Sequence, residues 1–116
     1  MDKRRRGFIA ENYAANLLEK RGYTIIARNF KTRYSEIDII ALKENTLVFV
    51  EVKARWNLKH GMPEEAVNYR KIQKIKYSAE IFCLKNRHLP KKLLIEVISL
   101  IIKDNKVMSE KIIKAY

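Results

Sequence analysis

Three acids and one lysine in this chain have the types and spacing for metal-assisted chemistry on a phosphate ester: Glu11, Asp38, Glu51 and Lys53. Asp38 lies in the run Glu36-Ile37-Asp38-Ile39-Ile40. Glu51 and Lys53 lie in Leu47-Val48-Phe49-Val50-Glu51-Val52-Lys53. Both runs read as strands, and packing alone would put no acid in either. A lone buried carboxylate is costly unless it is paired or holds a metal. Two convergent carboxylates offer hard oxygen ligands to Mg²⁺ or Mn²⁺ and leave several waters on the ion. Such an ion polarises a phosphoryl oxygen and lowers the pKa of a bound water. A lysine two residues on, on the same strand face, orients that water or stabilises the charge that develops. Singly, each residue also has an ordinary structural role. Glu11 near the start of a helix favours the macrodipole, Asp38 at a strand end pairs with a Lys or Arg, and Glu51 with Lys53 makes an ion pair. The joint pattern, acid then acid-x-Lys on neighbouring strands, is what points to phosphodiester hydrolysis.

The elements that must position these residues follow from periodicity and punctuation. Residues 8–21 read as a helix, with Ala10, Tyr13, Ala14, Leu17 and Leu18 at helical spacing and Gly22 as its stop. Three β-like stretches follow at 24–30, 36–42 and 46–53, the last two joined by the polar turn Lys43-Glu44-Asn45. A long helix is expected over about 64–86, with Ile72, Ile75, Ala79 and Phe82 on its core side and Arg70, Lys74 and Lys85 opposite. Residues 93–102 and 107–113 complete the chain as strands around the turn signal Asp104-Asn105. The order α-β-β-β-α-β-β predicts an α/β domain, a central mixed sheet flanked by helices. The 46–53 strand is apolar on both faces at its start, which places it centrally.

Register decides whether the acids meet. With Leu42 and Thr46 flanking the turn, paired residue numbers sum to 88, and Asp38 falls opposite Val50, with Glu51 one residue along. Strict alternation puts Glu36 and Asp38 on one face with Ile40 and Leu42, and Glu51 and Lys53 on one face with Leu47 and Phe49. The spacing permits convergence without deciding it.

Composition sets the partner. The chain has 116 residues, 25 Lys and Arg against 13 Asp and Glu, and a formal charge of +12. Residues 53–92 alone carry eleven basic residues against three Glu, and the first six carry four basic residues against one Asp. Such a balance favours a polyanion, nucleic acid first and an acidic membrane second. Arg55, Arg70, Lys71 and Lys74 are the expected nucleic-acid contacts. The single Cys83 allows no intrachain disulfide and reads as a small buried hydrophobe. No apolar run approaches a membrane span and no signal peptide is evident, so a cytoplasmic protein without a membrane partner is expected. A homodimer is left open.

The set Glu11, Gly22-Tyr23, Asn29, Glu36-Ile37-Asp38-Ile39-Ile40, Val48-Phe49-Val50-Glu51-Val52-Lys53-Ala54-Arg55, Gly61…Glu65-Ala66-Val67, Lys71 and Ile112-Ile113-Lys114-Ala115-Tyr116 resembles the YraN-like family of the PD-(D/E)XK nuclease superfamily. The resemblance spans nearly the whole chain as one nuclease-like domain, residues 1–116. It departs from the family at Ala10 and Ser35, where glycine is usual, and at Ile37, where the superfamily's leading proline would stand. It implies a restriction-endonuclease-like fold similar to archaeal Holliday-junction resolvases. It further implies Mg²⁺- or Mn²⁺-dependent endonuclease activity carried by Glu11, Asp38, Glu51 and Lys53, with Asp38 and Glu51 as metal ligands. Two other readings stand beside it: a nucleic-acid-binding module of the same fold that does not cleave, and a protein that binds acidic partners or lipid. Glu96 on the fourth strand is expected to be structural.

Overall fold

The computed structural model describes residues 2–116. Its elements are α1 (Lys3–Lys20), β1 (Thr24–Lys31), β2 (Glu36–Lys43), β3 (Thr46–Arg55), a 3₁₀ turn (Pro63–Ala66), α2 (Tyr69–Lys85), β4 (Leu93–Lys103) and β5 (Lys106–Lys114). The strands form one sheet in the order β1-β2-β3-β4-β5. β3 and β4 are parallel and joined through α2, and the other pairs are antiparallel. The result is a mixed α/β architecture with β3 in the centre, consistent with a restriction-endonuclease-like fold. Among the described residues, no helix is long and apolar enough to cross a membrane.

α1 begins five residues earlier than apolar periodicity suggests. The Asp2 side chain accepts the Arg5 N–H at 2.8 Å and so caps the helix, and the Lys-Arg segment that follows has high helix propensity despite lacking an apolar stripe. The helix ends as Gly22 predicts. Gly22 adopts φ +88°, its N–H donates to Glu19 O, and the Tyr23 N–H donates to Leu18 O, the paired bonds of a Schellman cap. The long helix expected over 64–86 is instead two elements. Val67 and Asn68 are extended, and the Asn68 side chain caps α2 by accepting the Lys71 N–H at 3.0 Å.

Each sheet face carries its own core. Ala14 and Leu18 of α1 pack on Ile39, Val48, Val50, Ile98 and Leu100. Ile75, Ala79 and Phe82 of α2 pack on Ile37, Ile40, Leu47, Phe49 and Ile95. Ile37 and Ile40 therefore share a face although they are three apart, and so do Ala27 and Phe30 on β1. Both strands slip phase together between the Arg28–Ile39 and Phe30–Ile37 pairs, where Asn29 adopts φ +53°. This overturns the strict alternation expected of β2: Asp38 does not share a face with Ile40 and Leu42. The hairpin register is also corrected. Lys43 pairs with Thr46 and Ile39 with Val50, so paired numbers sum to 89 rather than 88, and the ladder ends before Asp38.

The slip should depend on the residue at position 29. A β-branched side chain is strained at positive φ, by roughly 1–3 kcal/mol. Asn29→Val should therefore unfold at lower urea than Asn29→Gly, which loses the same side-chain hydrogen bonds but keeps the backbone. Equal midpoints would show that the positive φ does not control the strand geometry.

Candidate active site

The β2–β3 ladder stops at Ile39–Val50, and the next polar contact is made by a side chain. The Asp38 carboxylate accepts the Val52 N–H at 2.7 Å, satisfying a backbone donor just past the last ladder pair. There the Asp38 carboxyl lies close enough to Glu51 to feel its charge. Asp38 is pushed up to about 7, by burial first and the Glu51 charge second, while the Val52 N–H works the other way.

Glu51 is 5% exposed in the middle of the sheet. It is in phase with Leu47 and Phe49, so its side chain projects towards α2, where Lys71 lies with Nζ 3.7 Å from Oε2. Lys53 Nζ lies 3.9 Å from Oε1. Both are ion pairs beyond hydrogen-bond length, and Oε2 is buried with no hydrogen-bond partner. A buried acceptor in that state is unusual.

Glu11 approaches from α1. Its Oε1 accepts from Arg28 Nε at 3.0 Å, and its Oε2 from Asn29 Nδ2 at 3.0 Å. Asn29 Nδ2 also donates to Glu36 at 3.1 Å, so the residue at the phase slip ties α1 to β2. Glu11 adds to the negative field on Asp38, but both its oxygens are engaged. Among the described residues, no three His, Cys, Asp or Glu side chains gather as a metal-ligand set, and the carboxyls that meet are those of Asp38 and Glu51.

Glu11, Asp38 and Lys53 line one cleft of about 950 Å³. Its other charged walls are Lys3, Arg4, Arg28, Lys31, Arg55 and Glu36, so basic groups outnumber acids six to three around the acids on its floor. Of the residues expected to contact nucleic acid, Arg55 lines this cleft and Lys71 joins Glu51. Arg70 and Lys74 are exposed on α2, outside the cleft lining.

Other singled-out residues serve the fold. Glu96 accepts from the Tyr23 hydroxyl at 2.7 Å, which fits its structural reading. His60 and His88 are exposed. Cys83 is half-buried rather than fully buried, and burial pushes its thiol up. Trp56 packs on the α1-side core with the Arg6 guanidinium 4.9 Å above its ring.

The model of the family described as "Uncharacterised protein family UPF0102" matches residues 10–100. A UPF0102 protein of Syntrophomonas wolfei is 39% identical over 110 residues, covering 95% of this chain and 96% of the relative. One from Desulforapulum autotrophicum is 40% identical over 114 residues, covering 98% and 94%, and one from Dictyoglomus thermophilum is 37% identical over the full length of both. The chain belongs to the UPF0102 family. This is the YraN-like family that the sequence resembles. The matched span of the UPF0102 model includes Glu11, Asp38, Glu51, Lys53 and Lys71 and excludes the basic first two turns of α1.

Three features of this UPF0102 site escape residue-by-residue reading. The Lys71–Glu51 pair joins a helix to a strand twenty residues earlier, and no local pattern encodes it. The Arg28-Asn29 clasp on Glu11 does leave a signal, a polar pair that interrupts the apolar run of β1. Lys3 and Arg4 enter the cleft only because α1 starts so early.

The raised Asp38 pKa has a definite sign for stability. The folded state holds the proton more tightly than the unfolded chain, so the proton's contribution is complete below pH 3.8 and is lost as pH rises through about 7. In metal-free buffer, wild-type protein should lose melting temperature relative to Asp38→Asn across that window and hold a constant difference above about pH 8. A pH-independent difference between the two would show that the carboxyls are not in contact.

Proposed function

We propose that this chain is a metal-dependent endonuclease of the PD-(D/E)XK superfamily that hydrolyses phosphodiester bonds in nucleic acid, DNA ahead of RNA and branched DNA included. One observation carries the reading: Asp38 and Lys53 line a basic cleft, and the buried Glu51 carboxyl lies beside both. Acids held together against their own repulsion in an otherwise basic chain have no better use than to share a cation.

The donor set fits a hard divalent ion. Asp38 and Glu51 supply carboxylate oxygens, one of which, Glu51 Oε2, is buried without a hydrogen-bond partner. Two carboxylates suffice for Mg²⁺, which completes its shell with water and substrate oxygens. When bound, Mg²⁺ or Mn²⁺ would supply a Lewis acid and a water of lowered pKa. The chain's own residues do the rest. Lys53 places an ammonium beside the carboxyls, where negative charge grows on the phosphoryl oxygens. Lys71 holds the Glu51 carboxylate from the α2 side, and the Val52 N–H fixes Asp38. Glu11, clasped by Arg28 and Asn29, is a positioning residue that holds α1 against the β1–β2 slip. Arg55, Arg28 and Lys31 bind the strand's phosphates along the cleft.

A second reading draws on a different observation. Two lysines flank Glu51, and Glu11 has both oxygens engaged, so much of the acid charge is already balanced by protein groups. A nucleic-acid-binding module that does not cleave would look the same in those respects.

Cleavage of branched, linear and single-stranded substrates in Mg²⁺ and Mn²⁺ separates the two. For the nuclease, Lys53→Ala should cut the cleavage rate by roughly 10²–10³ while affinity stays within a few-fold. Wild-type protein that binds these substrates and leaves them whole for hours in either metal supports the binding module instead. Affinity should also fall steeply with salt, and replacing Lys31 and Arg55 together should flatten the log–log slope by about two phosphate contacts, whereas Arg70 and Lys74, outside the cleft, should change it less. Salt-independent affinity would make the basic surface only a solvated face.

A further inference from the structure

The first two turns of α1 form a wall of the cleft that periodicity gives no reason to expect. Lys3, Arg4, Gly7 and Phe8 face Arg28 and Lys31 of β1 across the opening above Asp38. Phe8 is 66% exposed, although a large apolar side chain at a cleft mouth would be expected to find cover. Isolated surface phenylalanines are common and need no explanation. This one differs in position, because it projects among basic side chains at the entrance to the candidate site. The wall is firmly held: Asp2 caps the helix, and Arg6 lies over Trp56, which packs on the core.

A phenylalanine set among Lys and Arg is the arrangement that holds an unstacked base while phosphates are neutralised on either side. Bases inside a duplex already stack on their neighbours and offer no free face. A cleft of about 950 Å³ is at the upper end of ordinary small-molecule sites, ~300–1,000 Å³. It has room for a short stretch of one strand. We propose that Phe8 is a base-stacking residue and that Lys3, Arg4 and Phe8 bind an unpaired nucleic-acid strand at the cleft mouth, selecting substrates with single-stranded segments. The proposal rests on the nucleic-acid part of the function proposed above. An anionic bilayer fits the site less well, because the surface is concave and has Glu11, Glu36 and Asp38 within it.

The test is equilibrium binding in EDTA, so that no metal-dependent cleavage intervenes. The probes are a labelled thymidine 12-mer, a fully paired hairpin and vesicles of anionic phospholipid. Phe8→Ala should weaken binding of the 12-mer by roughly 5- to 100-fold, the usual loss for one base–aromatic stack. It should change hairpin affinity by less than twofold, and Phe8→Trp should keep 12-mer affinity. Lys3→Gln with Arg4→Gln should flatten the salt dependence for the 12-mer. Because Phe8 is exposed, an unchanged melting temperature should confirm that each variant is folded.

Equal weakening of the 12-mer and the hairpin, or no weakening of either, overturns the proposal. So does Phe8-dependent binding to vesicles with none to the 12-mer, or a Phe8-dependent dimer in sedimentation that binds the 12-mer no worse after Phe8→Ala. The two readings fail separately. Phe8-dependent strand binding without cleavage in either metal retains the stacking site and removes the nuclease. Cleavage with unchanged substrate preference in Phe8→Ala does the reverse.

Discussion

The carboxylate of Asp38 bonded to the Val52 N–H is the contact on which the site depends. It sits where the β2–β3 ladder ends, so a side chain takes over the role that a backbone carbonyl plays elsewhere in the hairpin. With that donor satisfied, the strands are free to part without leaving a buried amide orphaned. The parting lets a carboxyl from β2 reach one from β3. Had the ladder continued, Asp38 and Glu51 would have been ordinary cross-strand neighbours with fixed faces. The coupled slip at Asn29 serves the same end from the other side, turning β1 and β2 so that Asp38 points to the α1 cleft while Ile37 and Ile40 stay in the α2 core.

The electrostatics of the site then follow from what surrounds that opening. Burial and the neighbouring Glu51 charge make Asp38 reluctant to ionise, as its raised pKa records. The chain answers with lysines held just outside hydrogen-bond length, Lys53 from the same strand and Lys71 from the opposing helix. These temper the field without closing it, and Glu51 keeps one oxygen without a hydrogen bond. Glu11 is treated differently. Both its oxygens are met by Arg28 and Asn29, contacts that tie a helix to a strand.

Most of the architecture is readable from short-range pattern because most of it is short-range. β1, β2 and β3 are consecutive antiparallel strands, and Gly22, Asp104-Asn105 and the Lys43–Asn45 turn mark boundaries that the structure respects to within a residue or two. What escapes reading depends on contacts without a local signature. One residue of register, 88 against 89, turns on whether Lys43 and Thr46 pair, which the turn composition does not specify. The phase slip arises from a single left-handed residue, Asn29, whose asparagine is permissive for that geometry but does not require it. The break at Val67-Asn68 lies hidden inside a helix-compatible run because Asn68 is a cap only in retrospect. The candidate residues Glu11, Asp38, Glu51 and Lys53 are legible as types. Their distinct circumstances, one clasped, one bonded to a backbone amide, one buried and one paired at long range with its strand neighbour, come from tertiary packing.

The parallel pairing of β3 with β4 also has a consequence for how the chain emerges from a ribosome. β3 is complete at Arg55, but its partner begins only at Leu93, almost forty residues later. At ~5–20 residues per second, the central strand is left with one naked edge for roughly two to eight seconds. An apolar strand such as Leu47–Val50, with its edge bare, is the kind of template on which nascent chains stick together. Glu51, Lys53 and Arg55 interrupt that template with a charged residue at every second position of its far end. Charges of the candidate site thus stand where that bare edge would otherwise run on as apolar strand.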